Sequence, residues 1–104
     1  MIVSLRQDDG TAERVSTGDL SALEAAAIEG LVGVPWRVIE DRLRAQDVTA
    51  MRAVLWAFRK RDDPQLEFAT FDIPGWRYRL RARIERAEID EMLTNIMREA
   101  LATS

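Results

Sequence analysis

Apolar side chains recur at steps of three and four residues through most of this chain, which is the spacing of one face of an α-helix. The longest run lies near the C-terminus, where apolar residues from Ile89 to Leu101 follow steps of three, one, three, one, three and one. Shorter runs occur over 20–31, 36–43 and 51–58. The pattern therefore predicts a mainly α protein, a small helical domain of about four helices.

Residues that cap or interrupt helices separate these runs. Ser21 and Glu24 form a capping-box pattern, in which the two side chains satisfy two exposed backbone N–H groups. Gly33 ends the first helix, and Pro35 suits the first turn of a second helix because that turn does not need its N–H. Asp47 is a good cap for a third helix. Three helices are therefore expected in the first part of the chain.

Two segments have the character of short strands. Within 1–17, β-branched residues flank the turn signal Asp9-Gly10, which predicts a short hairpin or a pair of extended arms. Over 76–84, aromatic and aliphatic residues alternate with arginines, a period of two that favours a strand with one arginine-lined face. Arginine, leucine and alanine are also good helix formers, so both a strand and a helix stay open for this segment.

At 104 residues the chain has the size of one small domain, and two separate cores would each be marginal. Its sequence contains no internal repeat, low-complexity tract or long linker that would divide it. We therefore predict a single domain over 1–104. Its parts are an arm or hairpin over 1–17, a three-helix region over 19–61, a linker with the strand option over 62–85, and an amphipathic helix over 86–102.

The chain contains no histidine and no cysteine. This composition excludes disulfides, thiol nucleophiles and zinc fingers, and it removes the commonest general base at neutral pH. The carboxylate pairs are adjacent in sequence and so point in different directions, and the glycines match no phosphate-binding loop. We therefore expect a protein that is not an enzyme, with no catalytic residue, no cofactor and no metal site.

The net charge of −3 is unevenly distributed along the chain. Residues 52–86 carry nine basic and five acidic side chains, whereas the flanking segments are acidic. A basic segment can neutralise phosphates, but Asp62 and Asp63 directly follow Arg59-Lys60-Arg61, which favours a solvated charged face. Nucleic acid is therefore not an expected partner, and the oppositely charged segments can attract each other within the fold or between subunits.

The N-terminal residues lack the basic start and the apolar run of a signal peptide. No apolar stretch of the sequence approaches the roughly 20 residues that a membrane span needs. We therefore expect a cytoplasmic protein without a membrane partner.

The C-terminal apolar stripe suits contact with another helix. Its two methionines can repack around different apolar partners. Closing the domain's own core and docking against a second chain are both compatible with the pattern, since the two contacts look identical in sequence. The candidate protein-binding residues on this helix are Ile89, Met92, Leu93, Ile96, Met97 and Leu101.

Four stretches of the chain match the pattern of a known family. They read GDLSALEAAAIE at 18–29, GVPW at 33–36, AVLWAFRKRDDP at 53–64 and FATFD at 68–72. Their most particular part is an aliphatic-tryptophan helix that ends in Arg-x-Arg and is followed by a proline and a Phe-x-x-Phe-Asp element. In these features the chain resembles the tail assembly chaperones of long-tailed bacteriophages, especially those of actinobacterial hosts. After Asp72 it departs from the family pattern.

The resemblance implies a small, mainly helical, non-enzymatic factor in the host cytoplasm. Such factors bind the long, aggregation-prone tape-measure protein during tail assembly and leave before the particle is complete. By position, the resemblance assigns protein binding to Trp56, Phe58, Arg59, Arg61, Phe68 and Phe71. The implied partner is the phage tape-measure protein or another tail protein, and a homo-oligomer is a further expectation.

Two other functions stay open from the sequence. The first is a structural phage component, such as a head–tail connector or tail-completion subunit, whose N-terminal arm adds a strand to a neighbour's sheet. The second is a small nucleic-acid-binding regulator that uses the basic middle of the chain.

Overall fold

The computed structural model describes residues 1–103 and shows a mainly α chain with one small antiparallel sheet. This confirms the fold class predicted from the apolar periodicity. The elements are β1 (Ile2–Arg6), β2 (Ala12–Ser16), α1 (Ala22–Val32), α2 (Trp36–Arg44), α3 (Val48–Arg59), α4 (Trp76–Arg79), β3 (Leu80–Arg83) and α5 (Arg86–Thr103), with 3₁₀ turns at Thr17–Asp19 and Phe68–Thr70.

The sheet has the strand order β2-β1-β3, with antiparallel pairing on both sides of β1. β1 and β2 form the hairpin that the Asp-Gly signal predicts, and Gly10 adopts a left-handed conformation in its turn (φ 88°). In the register of the sheet, Val3 lies opposite Val15 on one side and Ala82 on the other. The N-terminal segment is therefore a central strand with both edges paired, and the extended-arm alternative is wrong.

The arginine-alternating segment 76–84 is part helix and part strand. α4 forms a single turn in its first half, and β3 follows directly. Gly75 provides the left-handed residue at the start of α4 (φ 70°). The Arg79 guanidinium then holds this turn by donating to the carbonyl oxygens of Arg6 and Pro74 at 2.9 and 2.8 Å. A strand along the whole segment is therefore wrong, because these contacts make its first half helical.

The predicted helix boundaries are confirmed at atomic detail. The Ser21 hydroxyl accepts from the backbone N–H of Glu24, and the Glu24 carboxylate accepts from the N–H of Ser21, so the capping box is complete. The Asp47 carboxylate accepts from the N–H of Ala50 at 2.9 Å at the start of α3. Gly33 ends α1 in a left-handed conformation (φ 81°). Local side-chain chemistry therefore sets where these helices begin and end.

The centre of the core is α3, in which seven of twelve residues are buried. The inner face of the sheet, α1, α2 and the linker 60–75 cover it. Among the described residues, no polar or charged residue is buried. The other elements contribute the buried side chains of Met1, Val3, Leu5, Ile28, Ile39, Leu43, Phe71, Ile73, Leu80 and Ala82.

Only one residue of α1, Ile28, is buried. The run over 20–31 predicts an inward apolar stripe, but Leu23 is 84% exposed and Leu31 is 42% exposed. α1 is apolar on almost every side, so its periodicity does not say which side faces the core. The side of α1 that carries Leu23 and Leu31 is therefore an apolar surface.

α5 projects from the rest of the chain. The molecule measures 53 × 31 × 21 Å, and its Cα radius of gyration is 15.6 Å, against about 13 Å for a compact chain of this length. The start of α5 is tied to the sheet. The Ser16 hydroxyl donates to the Glu85 carboxylate, and the Met1 ammonium group donates to Thr17 Oγ1 at 2.9 Å and to the carboxylates of Glu85 and Glu88. Within residues 1–103, no helix is both long enough and apolar enough to cross a membrane.

A glutamine side chain covers the outer edge of β3. Gln46 lies in the left-handed region (φ 61°), between α2 and α3. Its Nε2 donates to the Ala82 carbonyl oxygen at 2.8 Å, and its Oε1 accepts from the Ala82 N–H at 2.9 Å. An uncovered strand edge is a template for pairing with another chain, so Gln46 acts in place of a fourth strand at this point.

We expect Gln46→Ala to lower the free energy of unfolding by about 1–2 kcal/mol, because both backbone groups of Ala82 lose their partner. The left-handed backbone is equally unfavourable for both residues, so the change isolates the hydrogen bonds. Urea denaturation measures the difference. Gln65→Ala, in an exposed turn, is the control and should stay within about 0.5 kcal/mol of the wild type. Equal losses in both variants would contradict the role of Gln46.

Candidate functional site

The residues that carry the family resemblance gather around α3 and the linker that follows it. Trp56 is only 7% exposed, and its Nε1 donates to the Leu66 carbonyl oxygen at 3.1 Å. Its ring meets that of Phe68 edge to face, with centroids 6.0 Å apart and planes at 78°. Phe71 is 6% exposed. Trp56 and Phe71 therefore belong to the core, while Phe68 is half-buried beside them.

Arg52 organises this cluster, although the sequence analysis does not select it. Its Nη1 donates to the carbonyl oxygens of Phe68 and Phe71 at 2.7 and 2.8 Å, and its guanidinium carbon lies 3.9 Å from the centroid of the Phe68 ring. Arg52 precedes Trp56 by four residues, so both side chains project from the same side of α3. That spacing is the sequence signal that could have identified Arg52.

The predicted arginines at the end of α3 bind within the chain. Arg59 Nη2 donates to Glu13 on β2 at 2.7 Å, and its guanidinium carbon lies 5.4 Å from the centroid of the Phe71 ring. Arg61 donates to both carboxylate oxygens of Glu24 at 2.7 Å and to the Asp19 carbonyl oxygen at 2.8 Å. These contacts tie α3 to β2 and to α1.

The half-buried Phe58 ring completes the cluster, with the Arg61 guanidinium 4.5 Å from its centroid. Of the six residues taken from the resemblance, Arg61 alone is exposed as a whole residue. A partner could thus reach the outer parts of Phe58, Arg59, Arg61 and Phe68, whereas Trp56 is nearly buried and lines the groove between α1 and α3.

This groove has a volume of about 320 Å³ and a largely apolar floor. Trp56 and Ala57 of α3 face Leu23 and Ala27 of α1 across it. The Lys60 ammonium nitrogen lies at its rim, 4.9 Å from the centroid of the Trp56 ring. The remaining lining residues are Glu24 and Arg61. We call this feature the α1–α3 groove; it was not predicted from the sequence, because the apolar stripe over 20–31 implies that Leu23 and Ala27 face inward.

The second candidate surface is the apolar stripe of α5. All six of its predicted residues are exposed, and their exposed fractions rise from 43% at Ile89 to 76% at Leu101. Met92, Leu93, Ile96 and Met97 lie between these limits. The stripe lies on α5 and the groove is lined by residues of α1, α3 and the segment 60–61, so the two surfaces share no residue.

Ion pairing sets the electrostatics of the groove. The hydrogen bond from the Arg61 guanidinium lowers the pKa of Glu24 to about 2 and raises the pKa of Arg61. Near the start of α5, the hydrogen bond from the Ser16 hydroxyl lowers the pKa of Glu85. These carboxylates are therefore charged at neutral pH, and they act as partners of cations and hydroxyl groups.

Among the described residues, no group of three or more carboxylates is placed to hold a metal ion. Comparison with models of known families, with curated proteins and with solved structures gives no match for this chain. The binding properties of the two surfaces are therefore inferred from their side chains. Both surfaces are apolar, and both are bordered by charged residues.

We expect Arg52→Met to lower the free energy of unfolding by about 1–3 kcal/mol, because the carbonyl oxygens of Phe68 and Phe71 lose a charged donor. Methionine keeps most of the apolar length of the side chain, so packing changes little. Urea denaturation measures the loss. Arg37→Met, on the exposed side of α2, is the matched control and should change stability by no more than about 0.5 kcal/mol. An Arg52→Met variant as stable as the control would contradict the role of Arg52 in holding the carbonyl groups of Phe68 and Phe71.

The depressed pKa of Glu24 makes its contribution to stability depend on pH. A carboxyl group whose pKa falls on folding stabilises the folded state above its unfolded pKa, near 4.5, and loses this contribution as the pH falls toward about 2. We expect wild type to be more stable than Glu24→Gln at pH 7, and the difference to shrink between pH 4.5 and 2. Glutamine can still accept the capping hydrogen bond, so the comparison isolates the charge.

The urea midpoints of the wild type and of Glu24→Gln, measured at several pH values, report the difference in stability between the two proteins. A difference that stays constant from pH 7 to pH 2 would contradict the assigned ion pair.

Proposed function

We propose that this protein is a non-enzymatic assembly chaperone that covers apolar helical segments of a phage tail protein, the tape-measure protein, in the host cytoplasm. The observation that carries the proposal is the stripe on α5, where five large apolar side chains from Ile89 to Met97 are 43–65% exposed. Exposed apolar patches of this kind mark interaction sites in soluble proteins. The family resemblance over 18–72 supports the choice of partner.

The chemistry of the stripe suits an apolar helix as client. An amphipathic helix binds through residues at three- and four-residue steps, as the stripe presents them. Met92 and Met97 have flexible, polarizable side chains that adapt to different apolar surfaces. A chaperone that must accept successive segments of a long helical protein needs this tolerance more than it needs close shape complementarity.

The size of the stripe suits reversible binding. α5 has 18 residues and is therefore about 27 Å long, so one such helix buries less area than a permanent interface requires. A client held by this surface alone can be released when a larger surface competes for it. Release is part of the proposed role, since an assembly chaperone leaves the finished particle.

The alternatives receive less support. Strand addition by an N-terminal arm needs an extended segment that is not already paired, but β1 and β2 pair with each other and β1 also pairs with β3. Within this hairpin, only the outer edge of β2 is left without a strand neighbour in residues 1–103. The basic middle is partly neutralised within the chain, since Arg59 and Arg61 bind carboxylates, and this weakens the case for nucleic-acid binding. Arg79 and Arg81 donate to backbone carbonyl oxygens. Neither alternative therefore becomes a second proposal.

Co-expression with an apolar helical fragment of the tape-measure protein tests the proposal. We expect the wild type to increase the soluble fraction of the fragment and to co-purify with it. Met92→Glu combined with Ile96→Glu places two charges in the stripe and should abolish both effects, because a buried unpaired charge is strongly unfavourable.

Asn95→Glu combined with Ala102→Glu is the matched control, since it adds the same two charges to the polar side of α5 and should leave both effects intact. Circular dichroism checks that all variants are equally helical. If the wild type neither raises the solubility of the fragment nor co-purifies with it, the proposed function is wrong.

A further inference from the structure

The α1–α3 groove is a surface that the fold leaves without an internal partner helix. Its floor is formed by Trp56 and Ala57, and Leu23 stands at its edge with most of its side chain exposed. Small residues extend this surface along α1, since Ala27 and Gly30 are also exposed. Small side chains allow a second helix to approach closely. The surface therefore has the shape and polarity to receive an apolar helix.

The charge around the groove limits which helix it can receive. Arg59, Lys60 and Arg61 follow one another at the end of α3. Arg59 and Arg61 pair with Glu13 and Glu24, whereas Lys60 forms no ion pair with a carboxylate anywhere in residues 1–103. An uncompensated cation thus lies at the rim, and an acidic helix fits this rim better than a basic one.

α5 has the matching properties. It carries four carboxylates against two arginines, and its apolar stripe is exposed. By helical periodicity, Asp90 and Glu99 border the two edges of the stripe, and Arg98 lies on the opposite side of the helix together with Glu91. Arg86, in the first turn of α5, is on the same side as the stripe but precedes it. An apolar face with acidic edges therefore exists on the same molecule as an apolar groove with a basic rim.

α5 cannot serve its own groove in the conformation observed. Its first turn is held beside the sheet by the contacts of Glu85 with Ser16 and of Glu88 with the Met1 ammonium group. From there the helix projects away from the body. We propose that the acidic, apolar face of α5 docks into the α1–α3 groove of a second copy of this chain.

This interface joins two different surfaces, so each copy has one donor helix and one acceptor groove. Heterologous contacts of this kind form a dimer in which each copy donates its helix to the other, a closed ring, or an open chain of copies. The self-association requires no client, so its test uses the purified protein alone and is independent of the proposed function. It also uses the same stripe as client binding, so a client and a second copy would exclude each other.

Two single-surface variants separate this interface from symmetric pairing of α5 with α5. Ala27→Glu places a charge in the groove, and Met92→Glu with Ile96→Glu places charges in the stripe. We expect sedimentation analysis to show that the wild type self-associates in a concentration-dependent way. Each variant alone should associate at least about tenfold more weakly. Ala26→Glu, next to Ala27 but outside the groove lining, should associate like the wild type.

Mixing the two variants is the decisive measurement. The Ala27→Glu protein keeps an intact α5, and the α5 variant keeps an intact groove, so one good interface forms between them. Calorimetric titration of one variant into the other should show 1:1 binding that is at least about tenfold tighter than the self-association of either variant alone. Lys60→Glu should weaken self-association, and more strongly at low than at high salt. Circular dichroism of every variant checks that the fold is retained.

Several results would overturn the proposal. A wild type that stays monomeric at all concentrations removes the interface. If the folded Ala27→Glu protein associates as strongly as the wild type, the groove takes no part in the contact and α5 alone forms it. A mixture of the two variants that shows no binding excludes docking of α5 into the groove.

Discussion

The need to cover α3 shapes the rest of this structure. Seven of its twelve residues are buried, so other elements must cover most of the helix surface. The sheet, α1, α2 and the linker 60–75 each take one part of its circumference. Arg52 is half-buried beside these apolar residues. Its charge is satisfied by two carbonyl oxygens and by the Phe68 ring, and this contact fastens the linker over Trp56.

α3 and the side chains that cover it fill the core of this small chain, so some apolar surface on the other elements stays exposed to solvent. The outer side of α1 and the whole stripe of α5 are exposed, although both are as apolar as parts of the core. Exposed apolar area lowers solubility unless a partner covers it. Both surfaces therefore have the character of binding surfaces. The acidic edges of α5 and the Lys60 rim of the groove make the two surfaces complementary. Client binding and self-association would thus compete for one helix.

Features that depend on neighbouring residues could be predicted from the sequence. The capping box of Ser21 and Glu24, the cap at Asp47 and the helix end at Gly33 all act through atoms only a few residues apart. The hairpin around Gly10 depends on local turn geometry in the same way. The α5 stripe was predictable because its polar and apolar sides are clearly separated. The mainly α fold class followed from these local patterns.

Features that depend on distant residues could not be predicted. The apolar pattern places Leu23 on an inward stripe, but α1 is apolar all round and only its packing against α3 selects Ile28 as the buried residue. The segment 76–84 has a strand pattern throughout, yet contacts of Arg79 with Arg6 and Pro74 make its first half helical. The sequence by itself determined α1, α2, α3 and α5 and the caps at Ser21, Asp47 and Gly33, because those signals are local. Only the tertiary structure decided which apolar surfaces are buried. The reason is that only a limited number of helix and sheet faces can pack around α3, and the others stay exposed.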